Sequence, residues 1–392
     1  MATTVAPEPG AAPTRSAPYV AALDVVRIVA LLGIMSTHAV AWAGRDTPEA
    51  ALWSRALELL SRSGVSVFVL LSGVLLGYSN SRRRPVLDFL KHRFWRIGLP
   101  WLVWAAAWAA VFLFATNVWL GVPLPTPWHV ADALLYGPGY LYFLVLLGQL
   151  TLLAAVYPTK QSTRVWLAVA AAVWQLALNA LRLVVAGDWG GDAWFIIDTH
   201  SYELAPFWIG HFAVGVAAGG YLTALRRTSA PGRLAAAAAF GVTAWLVVFA
   251  PDLGIWQDDR LTGASSLLHP LYLPLSCAET LLLLWFGEAL LTALPALTPV
   301  AGSLADASFG LYLIQQYPLE AIGPLFQHLT KPLNVSDQLP GSLFSVAVLL
   351  AVTAGIAAVA VALLQKTAWG RAILGGSNGV RRPVAITTTV DG

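Results

Sequence analysis

The sequence predicts an all-α, polytopic integral membrane protein with about ten transmembrane helices in one bundle. Of its 392 residues, 58% are hydrophobic and only 11% are charged, whereas a soluble domain carries about 25% charged residues. Apolar runs of about 20 residues, the length that crosses a bilayer as a helix, recur along the whole chain. These runs lack the strict alternation of membrane barrel strands. The composition therefore excludes a soluble globular protein, a disordered chain and a nucleic-acid-binding protein.

Ten runs are long and apolar enough to be predicted as spans. They cover residues 20–43, 64–80, 97–116, 139–157, 164–186, 204–224, 234–251, 267–292, 304–322 and 341–365. We expect a flexible cytoplasmic tail over residues 1–18, a transmembrane domain over 19–370 and a second cytoplasmic tail over 371–392.

The basic residues indicate the orientation in the membrane. With both termini in the cytoplasm, most of the 23 Lys and Arg residues fall in cytoplasmic segments, as the positive-inside rule requires. On this division Arg62 and Arg182 lie in outside loops, and only Arg27 lies inside a span. The sequence therefore predicts a multi-pass protein of the cytoplasmic (inner) membrane, with membrane lipid as its surroundings.

The first predicted span carries three polar residues, Asp24, Arg27 and His38. Charged groups in a bilayer are costly and are functional candidates by default. Arg27 and His38 are 11 residues apart, so they share a helix face about 16 Å apart along the axis, and Asp24 has the spacing of an ion-pair partner for Arg27. A histidine suits proton transfer near neutral pH. A structural role remains open, because residues near the span end can snorkel and His38 can bond a neighbouring helix.

Two arginines, Arg93 and Arg96, stand one helical turn apart at the entrance of the third predicted span. Guanidinium groups bind phosphate bidentately, so the pair suits a ligand with several phosphates. Such a basic loop also orients the protein and binds anionic lipid headgroups, and both interpretations stay open.

Further polar residues fall within later spans. Ser72 and Gly73 form a small pair of the kind that permits close helix packing. Glu279 is either a proton-handling group or the partner of a buried base. Ser308, Tyr312 and Gln315 recur at spacings of four and three, so they share one face. The single cysteine, Cys277, excludes an internal disulfide.

Five phrases follow one another in order along the predicted spans. They are Leu23-Asp24-Val-Val-Arg27-Ile-Val-Ala30 followed by His38, Arg62-Ser-Gly-Val-Ser-Val-Phe68-Val-Leu-Leu-Ser72-Gly73, Phe89-Leu-Lys-His-Arg93-Phe-Trp-Arg96-Ile-Gly-Leu-Pro100, Tyr140-Leu-Tyr142-Phe143-Leu144, and Ser308-Phe-Gly310-Leu-Tyr312-Leu-Ile-Gln315. Together they resemble integral-membrane acyltransferase family 3, whose members O-acylate surface saccharides, lipid-linked sugars and some secondary metabolites. Gln315 departs from the family's usual His and cannot take up a proton at neutral pH; Tyr142 departs from its usual Trp. An appended esterase-like domain is not seen, so the chain resembles the stand-alone branch.

The resemblance implies an enzyme that moves an acyl group, most often acetyl, from acyl-coenzyme A to a hydroxyl of a saccharide, glycolipid or similar acceptor. His38 would be the general base, with Arg27 holding the donor or anchoring Asp24. Tyr312, Ser308 or Ser72 would stabilise the oxyanion. Arg93 and Arg96 would bind the donor, together with Ser72 and Gly73. The acceptor residues would be Tyr142, Gln315 and Glu279. No metal is expected.

Two other classes stay open. A transporter or flippase of a saccharide or lipid-linked substrate also carries polar stripes in its spans, although no internal repeat relates two halves of this chain. A saccharide-binding or sensory protein with a degenerate site is the third possibility, and Gln315 gives it some support.

Overall fold

The computed structural model describes residues 18–42, 48–79, 85–114, 126, 139–185, 201–249, 268–330 and 339–376. All regular structure in these ranges is helical. The α-helices are α1 (Ala22–Trp42), α2 (Pro48–Tyr78), α3 (Val86–Arg93), α4 (Leu99–Phe114), α5 (Tyr142–Val156), α6 (Gln161–Val185), α7 (Ile209–Gly220), α8 (Leu222–Arg226), α9 (Ala230–Phe249), α10 (Tyr272–Ala293), α11 (Leu297–Ile314), α12 (Gln316–Thr330), α13 (Leu339–Leu364) and α14 (Ala368–Ile373). A π-helix, Phe94–Gly98, joins α3 to α4. One 3₁₀ turn, Gly139–Leu141, precedes α5, and two, Ser201–Glu203 and Ala205–Phe207, precede α7.

The prediction of an all-α polytopic membrane protein is confirmed. Within the described ranges, seven helices are long and apolar enough to cross a membrane, namely α1, the Ala56–Tyr78 part of α2, α6, α9, α10, α11 and α13. Two more apolar helices, α5 and α7, are shorter. The count of about ten spans stays a prediction.

The second helix is longer than the predicted span 64–80. It begins at Pro48, and its span part begins at Ala56, so Arg62 lies inside a membrane helix and is only 7% exposed. The prediction of an outside loop for Arg62 is therefore wrong. The hydropathy pattern is interrupted by polar residues there, but the helix continues because Glu58, one turn away, pairs with the guanidinium. Arg182 likewise lies within α6 and is buried.

The ninth predicted span, 304–322, is divided in the structure. Helix α11 ends at Ile314 and α12 begins at Gln316. Pro318 has no backbone N–H to bond the carbonyl of Ile314, and its ring crowds that carbonyl. The break therefore places Gln315 between two helices.

Helix α1 is the central element of the bundle, since it packs against α2, α10, α11, α12 and α13. Its closest crossing is with α2. A Cβ on Gly64 would lie 2.5 Å from the Ala30 carbonyl oxygen, and a Cβ on Gly33 would lie 3.0 Å from that of Ser61. Small residues thus let the two backbones approach, as is common between membrane helices.

The chain end after α13 is folded further than predicted. Helix α14 packs on α4, where the Trp104 indole donates to the Ile373 carbonyl over 3.0 Å. Gly375 follows with φ of 66°, a left-handed conformation that favours glycine. Residues 371–376 thus belong to the folded part, and the division into a transmembrane domain and two cytoplasmic tails stays a prediction. Residues 1–17 and 377–392 lie outside the described residues.

Candidate active site

His38 is half-buried in the C-terminal half of α1. Two contacts set the register between α1 and the α11–α12 segment: Arg27 donates from Nη1 to the Ala305 carbonyl over 3.4 Å, and Trp42 packs on Gly323. The two segments therefore run parallel, and His38 lies at about the axial level of Gln315 and the start of α12. The predicted acceptor residue Gln315 and the predicted base are thus brought to one level of the bundle.

Arg62 of α2 is a cationic group whose charge acts on His38. Helical side chains lean towards the N-terminus of their own helix. Since α1 and α2 are antiparallel across the Gly33–Gly64 crossing, the imidazole and the guanidinium lean towards each other. The hydropathy pattern predicted Arg62 in an outside loop. Its spacing of four from Glu58 is the sequence signal that indicates a helix at this position.

The Arg62 guanidinium is held by Glu58, with Nη2 to Oε1 at 2.5 Å. Its charge also reaches the phenols of Tyr142 on α5 and Tyr272 on α10. Side chains of three other helices, α2, α5 and α10, therefore share one electrostatic neighbourhood with His38.

Tyr142 is half-buried at the start of α5. Its ring meets that of Tyr202 edge to face, with centroids 5.0 Å apart, and the charge of Glu203 acts on its phenol. Gln149 fixes the Glu203 segment through a 2.9 Å bond to its carbonyl. An aromatic and acidic wall of this kind suits a polyhydroxylated ligand, because rings stack on sugar faces and carboxylates accept from hydroxyls.

Glu279 lies beside α2. The Ser63 hydroxyl of α2 donates to the Leu60 carbonyl over 2.5 Å and lies next to the Glu279 carboxylate, whose charge also reaches Tyr272. Among the described residues, Glu279 Oε2 has no hydrogen-bond partner. Glu279 is thus attached to the Arg62 neighbourhood rather than isolated on α10.

Gln315 is 2% exposed, and neither its amide nitrogen nor its amide oxygen has a hydrogen-bond partner in the described part of the chain. Gln316, by contrast, donates to Glu320 over 2.5 Å. An unsatisfied buried amide costs about 1–3 kcal/mol. A polar ligand at this level would recover part of that free energy.

The three hydroxyls predicted to stabilise an oxyanion all donate to backbone carbonyls. Ser72 donates to Phe68 over 2.8 Å, Ser308 donates to Ala305 over 2.7 Å, and Tyr312 donates to the Tyr140 carbonyl. Tyr312 is also enclosed by the rings of Tyr140 and Phe143. A transition-state role for any of them would require that an existing bond be broken.

Gly73 lies where α2 crosses α7. A Cβ at this position would overlap the Phe212 carbonyl oxygen, so the glycine is required for helix packing. Ser72 and Gly73 stay predicted donor residues, but packing alone accounts for the glycine.

Asp24 and Arg27 lie near the N-terminal end of α1. Asp24 accepts a hydrogen bond from the Tyr19 hydroxyl, and Arg27 reaches α11 through Ala305. The two residues therefore tie the start of α1 to its neighbours, and Arg27 lies about 16 Å along the axis from His38.

Arg93 and Arg96 flank the start of the π-helix that leads into α4. Arg93 is half-buried with its guanidinium 5.3 Å from the Phe89 ring centroid, whereas Arg96 is exposed and donates to the Gly375 carbonyl over 3.4 Å. Burial, and then the charge of Arg96, lower the pKa of Arg93. The two guanidinium groups are therefore close enough to repel each other, and a bound polyanion would relieve that repulsion.

The two arginines and the N-terminal end of α1 lie at the same end of the bundle. The Tyr78 hydroxyl at the end of α2 donates to the Pro18 carbonyl over 2.9 Å, which sets that end of α2 beside the start of α1.

Among the described residues, no three His, Cys, Asp or Glu side chains gather to form a metal site.

The sequence of this chain matches a known protein family. The model of the acyltransferase domain of family 3 matches residues 20–364, which is most of the chain. The chain belongs to acyltransferase family 3. Neither a curated protein nor a solved structure matches it.

Family membership makes the chain a multi-pass membrane acyltransferase. The match extends from α1 to the end of α13, so the His38 neighbourhood and the arginine pair both lie within the acyltransferase domain.

Proposed function

We propose that this acyltransferase moves an acyl group, most often acetyl, from acyl-coenzyme A to a hydroxyl of a saccharide, glycolipid or similar acceptor. The observation that carries the proposal is the family match over 20–364, joined to a half-buried histidine on the central helix of the bundle. The protein would lie in the cytoplasmic membrane with both termini in the cytoplasm.

The donor would bind at the end of the bundle that holds Arg93 and Arg96. Coenzyme A carries several phosphate charges, and paired guanidinium groups bind phosphate oxygens in a fork geometry. Burial, and then the charge of Arg96, lower the pKa of Arg93, so a polyanion between the two guanidinium groups would be favoured over a singly charged lipid headgroup. Ser72 and Gly73 would line the path of the donor towards the membrane interior.

The thioester arm would then extend along α1, past Arg27, towards His38. These two residues are about 16 Å apart along the helix axis, a length of the same order as the pantetheine arm. Arg27, already bonded to Ala305, would fix the arm near its inner end while Asp24 holds the start of α1.

The acceptor would approach from the opposite face of the membrane. The proximity of Tyr142, Tyr202 and Glu203 to one another supports an acceptor site built from these residues. Gln315, buried and without a partner in the described ranges, and Glu279 would orient its hydroxyls. Gln315 holds no proton for transfer, so it acts as a binding group here.

His38 would take the proton of the acceptor hydroxyl as the oxygen attacks the thioester carbonyl. The carbonyl π electrons move onto oxygen and form a tetrahedral intermediate. Its collapse breaks the carbon–sulfur bond, and the leaving thiolate takes the proton from the imidazolium. The products are the ester and free coenzyme A, and His38 returns to its neutral form.

The test uses the purified protein in nanodiscs with acetyl-coenzyme A. We expect that coenzyme A raises the melting temperature and that the protein slowly releases free thiol from acetyl-coenzyme A. A transporter of the same composition has no reason to do either. Absence of both effects would overturn the proposed donor.

A further inference from the structure

A charged cavity lies between the short helix α8 and the last turns of α10. On α8, Arg226 and Arg227 follow Thr223 by three and four residues, so the three side chains share one helix face. On α10, the Glu288 carboxylate accepts a hydrogen bond from Arg226 Nε. These four side chains line a cavity of about 190 Å³, and none of them belongs to the proposed reaction path.

The helices around this cavity are held in place by contacts of Trp285, one turn before Glu288. The Trp285 indole is buried and donates to the Leu225 carbonyl over 2.9 Å, which fixes α8 on α10. Arg233, at the start of α9, places its guanidinium 5.5 Å from the Trp285 ring centroid. It also donates from Nε to the Thr228 carbonyl over 3.1 Å. The cavity is therefore preformed where three helices meet.

The charges in the cavity suit a ligand with a single negative charge. Glu288 neutralises Arg226, whereas Arg227 is exposed, and within the described ranges its side chain has no hydrogen bond or ion pair. The lining thus carries a net charge of about one positive unit. A phosphodiester carries one negative charge, and guanidinium groups bind phosphate oxygens in a fork geometry.

The surroundings of the cavity indicate a lipid rather than a soluble phosphate. Glu288 lies five residues before the end of α10, and both α9 and α10 are long and apolar enough to span the membrane, so the cavity lies near headgroup level. Large apolar side chains are exposed on all three helices close to it in the chain: Tyr221 on the α8 side, Leu234 on α9 and Phe286 on α10. Acyl chains would cover these side chains.

The cavity opens at the same end of the bundle as the Arg93–Arg96 pair but on different helices. A Cβ on Gly287 would lie 3.2 Å from the Ala22 carbonyl oxygen, so the last turns of α10 lie beside the start of α1. Helix α8 packs on α10, whereas α3, which ends at Arg93, packs on α5. The two cationic sites therefore face one leaflet from separate parts of the bundle.

We propose that the cavity between α8 and α10 binds the headgroup of an anionic phospholipid. The phosphodiester contacts the guanidinium groups of Arg226 and Arg227, and the acyl chains lie on the exposed apolar side chains of α9 and α10. This site does not depend on the identity of the donor or the acceptor in the proposed reaction.

The test compares the purified protein in nanodiscs of phosphatidylcholine with and without added phosphatidylglycerol. Native mass spectrometry measures the affinity for phosphatidylglycerol, and thermal denaturation measures its effect on stability. We expect phosphatidylglycerol to raise the melting temperature of the wild-type protein. Inorganic phosphate added to phosphatidylcholine nanodiscs should leave it unchanged; an equal rise with inorganic phosphate would overturn the lipid assignment.

R227Q removes the guanidinium that has no partner in the described part of the chain, and we expect the affinity for phosphatidylglycerol to fall about fivefold. K366Q is the matched control, because it removes one exposed cation after α13 and changes the net charge equally. It should bind phosphatidylglycerol like the wild type. An equal loss in both variants would show attraction by general surface charge and overturn the site. A loss of coenzyme A affinity in R227Q would assign the cavity to the donor instead.

E288Q reverses the expected sign of the effect. It removes the only negative charge of the cavity lining and keeps an amide oxygen that accepts from Arg226. We expect the affinity for phosphatidylglycerol to rise about fivefold. An unchanged or lowered affinity in a folded E288Q protein would contradict the proposal. If E288Q does not fold, the comparison of R227Q with K366Q decides, since both side chains are exposed.

Discussion

The protein holds arginines in two contrasting environments, one at each end of the proposed reaction path. Arg93 and Arg96 lie side by side at the protein surface, and each disfavours the charge of the other. Arg62 lies in the interior and is neutralised by Glu58. The first arrangement suits a polyanion, because the two cations do not neutralise each other, whereas the second pair is neutral overall and lies beside His38. The predictions below test this division of binding from chemistry.

The largest effect is expected at the buried centre. H38A removes the proposed base, and we expect transfer to fall by about 10²–10⁴-fold while coenzyme A affinity stays unchanged. Steady-state transfer and thermal shifts measure the two quantities. H328A, which removes an exposed histidine of α12, is the control and should transfer normally. Wild-type transfer by H38A would contradict the base assignment.

At the surface pair the effect should fall on binding instead. R93Q/R96Q removes two charge-assisted contacts, each worth about 1.5–3 kcal/mol, so the dissociation constant of coenzyme A should rise at least tenfold. Once donor saturates the enzyme, kcat should be close to the wild-type value. The control R227Q/R233Q removes two exposed cations elsewhere. If R93Q/R96Q keeps its coenzyme A affinity, the pair serves lipid or topology.

The contact between α1 and α2 should matter for both stability and rate. G64A introduces a methyl group against the Ala30 carbonyl, and we expect it to lower the free energy of unfolding by about 1–3 kcal/mol through overpacking. We also expect a lower kcat, because the displaced α1 carries His38 away from α2. G241A meets nothing within 4 Å and should preserve both. Thermal denaturation and initial rates of the two variants provide the measurement. Equal behaviour of G64A and G241A would argue against a functional crossing.

The smallest effect is expected from ionic strength, which should act on the exposed arginine pair and not on the buried one. The Debye length falls from about 10 Å at 0.1 M to about 3 Å at 1 M, so exposed charges lose most of their attraction. We expect the KM for acetyl-coenzyme A to rise several-fold with ionic strength while kcat hardly changes. A parallel fall in kcat would show that the chemical step also depends on exposed charge.

Hydropathy predicted the long apolar helices well, because membrane insertion depends on composition alone over about 20 residues. It failed where interior contacts compensate polar residues. Arg62 lies just before the apolar run that begins at residue 64, yet α2 extends back through Arg62 to Pro48, and Glu58 neutralises the charge there. Similarly, the helix break at Gln315 depends on Pro318. A hydropathy average over about 20 residues does not detect such a break.

The candidate site shows the same division. Asp24, Arg27 and His38 were found because one helix face relates them by periodicity. Tyr202, Glu203 and Tyr272 join the site through tertiary contacts between distant segments, and one sequence carries no signal for such contacts. The proximity of Ser63 to Glu279 was missed for the same reason.

The most direct test is mass spectrometry of surface glycans and lipids from cells that carry the wild-type gene, the H38A gene or no gene. The account predicts a species heavier by one acyl unit with the wild-type gene alone, with H38A protein present in the membrane at the wild-type level. The same acylated species in H38A cells, or none in any of the three, would contradict it.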